Sequence, residues 1–123
     1  MISQRFDKEH NILFVTNEGR VNFESMKIYF SSLKNYVSET QTLFILEDAR
    51  KAKVKFSSID LPKLSNELSK VASFYTHVYH AVIFEEQRNI AYAMMLNDGI
   101  LKQNYVLKVF SDESLARDWV SQI

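Results

Sequence analysis

Alternating strand and helix signals predict an α/β sandwich, a mostly parallel sheet with one antiparallel edge strand, in the order β-β-α-β-α-β-α-β-α. Three observations carry that prediction. Within residues 42–46, the four residues 43–46 are an apolar run with no alternation, the mark of a central strand covered on both faces. Two separate segments repeat their apolar residues at steps of 3 and 4, the period of a helix lying on a core. The chain also opens on two short apolar runs divided by a polar turn, which is a hairpin pattern.

Taken in order, residues 2–6 alternate, residues 7–11 make the turn, and residues 12–16 form the second strand. Asn17, Glu18 and Gly19 close that strand, with Gly19 suited to positive φ. Asn22 caps a helix whose buried stripe is Phe23, Met26, Phe30, Leu33 and Val37, flanked by Tyr29 and Tyr36. The strand at 42–46 follows. Residues 50–56 then alternate basic and apolar, as a lysine-protected edge strand, a solvated loop or an anion-binding segment would. Ser57, Ser58 and Asp60 compete to cap the next helix, Pro62 fits its first turn, and Leu61, Leu64, Leu68, Val71 and Tyr75 form its stripe. Residues 76–84 are a fourth strand, 89–96 a helix closed by residues 97–99, and 105–110 a fifth strand. Ser111 caps the last helix, whose apolar face is Leu115, Ala116, Trp119, Val120 and Ile123.

Composition narrows the function classes. With 46% apolar and 24% charged residues, the chain is an ordinary globular one, and 123 residues make a single domain spanning 1–123. Lys+Arg and Asp+Glu both number 15, so the basic excess of a dedicated nucleic-acid binder is missing. The absence of cysteine removes thiol nucleophiles, disulfides and thiolate zinc sites. With no apolar signal region and no span-length apolar run, a cytoplasmic protein is expected.

The first place to look for chemistry is the end of the central strand, where Glu47, Asp48 and Arg50 follow the apolar run. Adjacent strand residues point apart, so Glu47 and Asp48 cannot form an acid/base pair, whereas Asp48 and Arg50 share a face and pair as a salt bridge. His77 and His80 have opposite strand parity and do not converge on one metal ion. The two glycines, Gly19 and Gly99, allow no glycine-rich phosphate loop, and no Gly-x-Ser-x-Gly elbow occurs. Tyr75, Tyr79, Tyr92 and Tyr105 fit either a core or an apolar pocket, and Met94 and Met95 either packing or an adaptable surface.

Three stretches carry a family likeness: the hairpin of residues 6–13 leading to Gly19, the strand end Asp48, Ala49, Arg50 with Phe56, Ser57 and Ser58 before a helix, and the tail of residues 107–119. Together with the element order they resemble the STAS/SpoIIAA-like domains, in particular the branch with kinship to the CRAL-TRIO lipid-binding fold. The resemblance implies a non-enzymatic domain. Its best-understood members are anti-sigma factor antagonists that bind a partner kinase and are switched by phosphorylation of a serine at the helix start after the third strand. Ser57 and Ser58 occupy a comparable place here, but the family's acidic residue and glycine are replaced by Ile59, Asp60, Leu61 and Pro62.

The expectation is therefore a STAS-like protein-interaction or regulatory module, with a binder or carrier of a small apolar, lipid-like ligand as the alternative. Its candidate recognition or phospho-switch region is Asp48, Arg50, Lys53, Lys55, Ser57 and Ser58. No catalytic, cofactor or metal residue is assigned. The partner expected is another protein or a small apolar ligand, with no nucleic acid and no membrane span, and exposed sheet edges leave a homodimer open.

Overall fold

A computed structural model describes residues 1–36 and 41–123. Five strands lie in chain order across one sheet, β1 (Ile2–Asp7), β2 (Ile12–Val21), β3 (Thr42–Val54), β4 (His77–Ile83) and β5 (Tyr105–Phe110). β1 and β2 are antiparallel, and every later neighbour pair is parallel. Four helices accompany them, α1 (Phe23–Ser32), α2 (Leu61–Ala72), α3 (Gln87–Gly99) and α4 (Glu113–Ser121).

The layering follows from this order. Crossovers between parallel strands take one hand, so a sheet that always advances in one direction carries its crossover helices on one face. α1, α2 and α3 accordingly pack side by side on what we call the inner face. α4 follows the last strand, closes no crossover, and packs on the outer face against β3, β4 and β5. The inner core is the larger, with Leu13, Phe30, Leu43, Ile45, Leu64 and Leu68 among its buried side chains. The outer core is Leu46, Ala81, Ile83, Ala116 and Val120. Each fully buried leucine or isoleucine stabilises the fold by roughly 1.5–3 kcal/mol.

The helix stripes are as the spacing predicts. Met26, Phe30 and Leu33 are buried on α1 and the short 3₁₀ turn after it, while Val37 lies outside the described residues. Leu61, Leu64, Leu68, Val71 and Tyr75 are all buried. Asn22 caps α1, its side chain accepting from the Ser25 N–H at 2.8 Å. α2 and α3 approach closely at Gly99, where an added Cβ would stand 2.6 Å from Ser65 Oγ, and Ser65 itself donates to the Leu96 carbonyl at 2.9 Å.

Several boundaries differ from expectation. Asn17, Glu18 and Gly19 do not end β2; the strand runs to Val21, with Gly19 at φ +76° inside it. β3 likewise continues through the basic segment as one strand. The two meet at an irregularity where Thr16 faces Asp48 but Glu18 faces Lys51, so Asn17 lies opposite both Ala49 and Arg50. That bulge reverses parity: Leu43, Ile45, Glu47 and Ala49 face inward before it, Ala52 and Phe56 after it. α3 extends from Gln87 through Gly99 because neither Asn97 nor Asp98 breaks the helix. Asp112, not Ser111, caps α4, accepting from the Ser114 and Leu115 amides. Leu115 and Ile123 are exposed, since α4 presents only Ala116, Trp119 and Val120 to the sheet. Met94 and Met95 are surface residues.

Candidate functional site

Two places on the sheet concentrate polar chemistry, one on each face. On the inner face, period-two alternation continues a polar residue after apolar ones in three adjacent strands: Asn17 after Leu13 and Val15, Glu47 after Leu43 and Ile45, His80 after Val78. Parallel register sets Val15 beside Glu47 and Ile45 beside His80, which brings the three polar side chains into one cluster. Asn17 and Glu47 are 2% exposed and His80 is 1% exposed.

The Glu47 carboxylate is the centre. Its Oε1 accepts from the Tyr29 hydroxyl at 2.7 Å and from His80 Nε2 at 2.8 Å, and its Oε2 accepts from the Asn17 amide at 3.2 Å. His80 Nδ1 lies 2.7 Å from the Tyr105 hydroxyl. With Nε2 protonated and Nδ1 accepting from Tyr105, all these donors are used at once. Burial alone would push the Glu47 carboxyl up; hydrogen bonds from His80, Tyr29 and Asn17 outweigh it and hold the group below the usual glutamate range. Burial, reinforced by the nearby Glu47 charge, raises the Tyr29 and Tyr105 hydroxyls well above their ordinary value.

Beside the cluster lies a cavity of about 30 Å³ between the sheet and helices α1 and α3. Its walls are apolar, including Val21, Met26, Phe30, Phe56 and Leu96, and Asn17, Glu47, His80 and Asn89 also border it. Asn17 Oδ1 is buried without a hydrogen-bond partner among the described residues.

The outer face is open where β1, β2 and the second half of β3 extend past α4. β4 pairs with β3 only as far as Asp48 opposite Ile83, so the remainder of β3 has β2 as its neighbour. Lys51, Lys53 and Lys55 are exposed along this extension, with Arg20 beside Lys53. Farther across, the exposed Arg5 places its guanidinium 4.4 Å from the centre of the Phe14 ring.

The sequence-derived candidates all fall along this stretch of β3 and the turn after it. Asp48 and Arg50 pair as their shared parity requires, with Arg50 Nε 2.9 Å from Asp48 Oδ1 and Nη2 2.7 Å from Oδ2. Arg50 also reaches Glu113 on α4 at 3.4 Å. The Arg50 hydrogen bond holds the Asp48 carboxyl below its usual range. Lys53 and Lys55 are separate exposed cations rather than members of that pair. Ser57 caps the 3₁₀ turn Ser58–Asp60 ahead of α2, and its N–H donates to the Asp60 carboxylate at 3.2 Å. Ser57 and Ser58 are both exposed. His77 and His80 diverge, His77 stacking on Tyr79 while His80 enters the inner cluster. The clustered Asp7, Glu9 and His10 sit in the β1–β2 turn, where Asp7 binds His10 at 2.9 Å.

In the local pattern Glu47 stands at a strand end and Asn17 at a strand terminus, which hides the inner cluster. Its signal was present: a polar residue in phase with the buried positions of each of three strands.

No family model and no curated protein matches the sequence. Among solved structures, the chain is similar to an uncharacterized protein from the DUF3478 family with a SpoIIAA-like fold, from Shewanella loihica PV-4. The TM-score is 0.62 at 18% identity, covering 97% of this chain and 93% of that chain. The fold is thus the SpoIIAA-like one that the element order and the tail motif had indicated. No described helix is long and apolar enough to cross a membrane.

Proposed function

We propose that this SpoIIAA-like domain is a non-enzymatic, STAS-like interaction module that docks an acidic surface of a partner protein on its open outer sheet face. One observation supports this above the rest. The chain sums to zero charge, yet Arg5, Arg20, Lys51, Lys53 and Lys55 are exposed on the part of the sheet that α4 leaves uncovered. Such a local field steers an oppositely charged partner and weakens with salt. The Asp48–Arg50 pair fixes the strand at the bulge, beside the cationic row. Phosphate on Ser57 or Ser58 would add roughly two negative charges a few residues along the chain from Lys53 and Lys55 and oppose docking. Association of two copies through the open edges β1 and β5 is a further part of the proposal, read by native mass.

The test is fluorescence anisotropy with a labelled poly-glutamate peptide as probe. The native chain should bind it in a salt-dependent way, and the K51E/K53E/K55E variant should not. Equal binding by both proteins would remove this reading.

A second reading, a carrier of a small and largely apolar molecule, is favoured by the inner cavity and its unsatisfied Asn17 oxygen. Native mass spectrometry of protein from its own cells, compared with the denatured mass, checks for such a ligand.

A further inference from the structure

We propose that the inner cavity is a carboxamide site, receiving the uncharged amide head of a small molecule whose tail is apolar. The inference rests on the second reading above, that the cavity takes a ligand, and adds what the ligand's head must be.

Size gives the first constraint. A cavity of about 30 Å³ has room for about two water-sized groups, which suits a compact head and not a whole lipid. The half-buried Val54, Phe84 and Tyr92 line it too, so a tail can leave along apolar surface.

Hydrogen bonding gives the second constraint. The Asn17 amide nitrogen donates to Glu47 and to Met26 Sδ, which fixes the side-chain orientation and leaves Oδ1 as a buried acceptor with no donor among the described residues. Turning the amide over would put its oxygen against the carboxylate. Asn89, at the start of α3 and only 4% exposed, borders the same cavity; its side-chain amide makes no hydrogen bond among the described residues, but unlike Asn17 Oδ1 it is not sealed from water. Leaving the Asn17 oxygen unpaired away from water is costly, and a native interior rarely does so. A carboxamide answers both: its N–H donates to Asn17 Oδ1, and its carbonyl accepts from Asn89 Nδ2. A simple ether or ketone supplies no donor for Asn17.

Charge gives the third. Glu47 borders the cavity as a buried carboxylate, so a carboxylate or phosphate head would meet like charge in a medium that screens poorly. A protonated amine would have to shed its water while the carboxylate is already occupied by Tyr29, His80 and Asn17.

Butyramide, butyrate and butylammonium are the probes, titrated into the full chain while the side-chain amide NMR resonances of Asn17 and Asn89 are followed. Saturable shifts of both with butyramide, and none with the two ions, are expected. Asn89→Leu, at the helix start and away from the Glu47 hydrogen bonds, should weaken butyramide about tenfold with the backbone spectrum otherwise retained. Absence of saturable shifts, equal binding of either ion, or unchanged affinity in Asn89→Leu would overturn the assignment. Xenon separates an open cavity from a carboxamide site. Xenon entering a cavity that butyramide does not enter overturns the carboxamide head but leaves the cavity reading standing; neither probe entering removes both.

Discussion

Glu47 and Asp48 are consecutive carboxylates on one strand, and they live in opposite worlds. The Glu47 side chain is 3% exposed and is held by Tyr29, His80 and Asn17 on the helix-covered inner face. The Asp48 side chain is 35% exposed and is held by Arg50 on the outer face, within reach of water. Both carboxyls lie below their ordinary range, yet the energetic meaning differs. A buried charge must be satisfied by fixed donors, so removing it strands them; a half-exposed ion pair can be replaced by solvent. The inner face therefore places its charge where structure depends on it, and the outer face leaves its cations exposed to solvent.

Replacing Glu47 is the strongest way to break this contrast. Glu47→Ala should cost about 3–5 kcal/mol in urea unfolding, because the Tyr29, His80 and Asn17 donors lose their acceptor. Next comes Gly99→Ala on the same side of the sheet. A Cβ within 2.6 Å of Ser65 Oγ has to push α2 and α3 apart, and a loss of about 1–3 kcal/mol is expected by the same measurement.

Acid should sharpen the comparison. Both carboxyls have folded-state pKa values below their unfolded ones, so their stabilisation is present above the unfolded carboxylate range and is lost as pH falls through the folded values. Unfolding midpoints measured from neutral into acid pH should therefore decline for the native chain. Glu47→Gln should begin lower and decline less steeply, while Asp48→Asn should follow the native slope more closely because water screens its pair. The reverse ranking would mean that the outer pair, not the inner cluster, governs acid stability.

Outer-face changes should be the mildest in stability. Asp48→Ala should cost no more than about 1 kcal/mol, as expected for a partly exposed ion pair. The K51E/K53E/K55E variant should unfold within about 0.5 kcal/mol of the native chain while losing the acidic probe, since exposed side chains carry little folding energy.

Much of the fold was legible in local pattern. The stripes Met26–Phe30–Leu33 and Leu61–Leu64–Leu68–Val71 are helical periods whatever they pack against, and Tyr105–Phe110 is an isolated β-rich run with clear turns before it. Shared strand parity also identified the Asp48–Arg50 pair. What failed did so where tertiary context overrides local signals. Gly19 and its polar neighbours read as a stop, but pairing with β1 and β3 on either side keeps them in the strand. The basic segment read as detached from the central strand because a single bulge changes which residues face the core.

The sequence by itself determined the order of elements, their apolar faces and the absence of cysteine chemistry, since periodicity and composition are local properties of the chain. Only the tertiary structure decided that Asn17, Glu47 and His80 share one buried cluster. Their separations of 30 residues between Asn17 and Glu47, and 33 between Glu47 and His80, are closed by strand register. It likewise decided that α4 covers one part of the outer face and leaves the cationic part open, because a helix that closes no crossover settles wherever its apolar stripe finds a matching sheet surface.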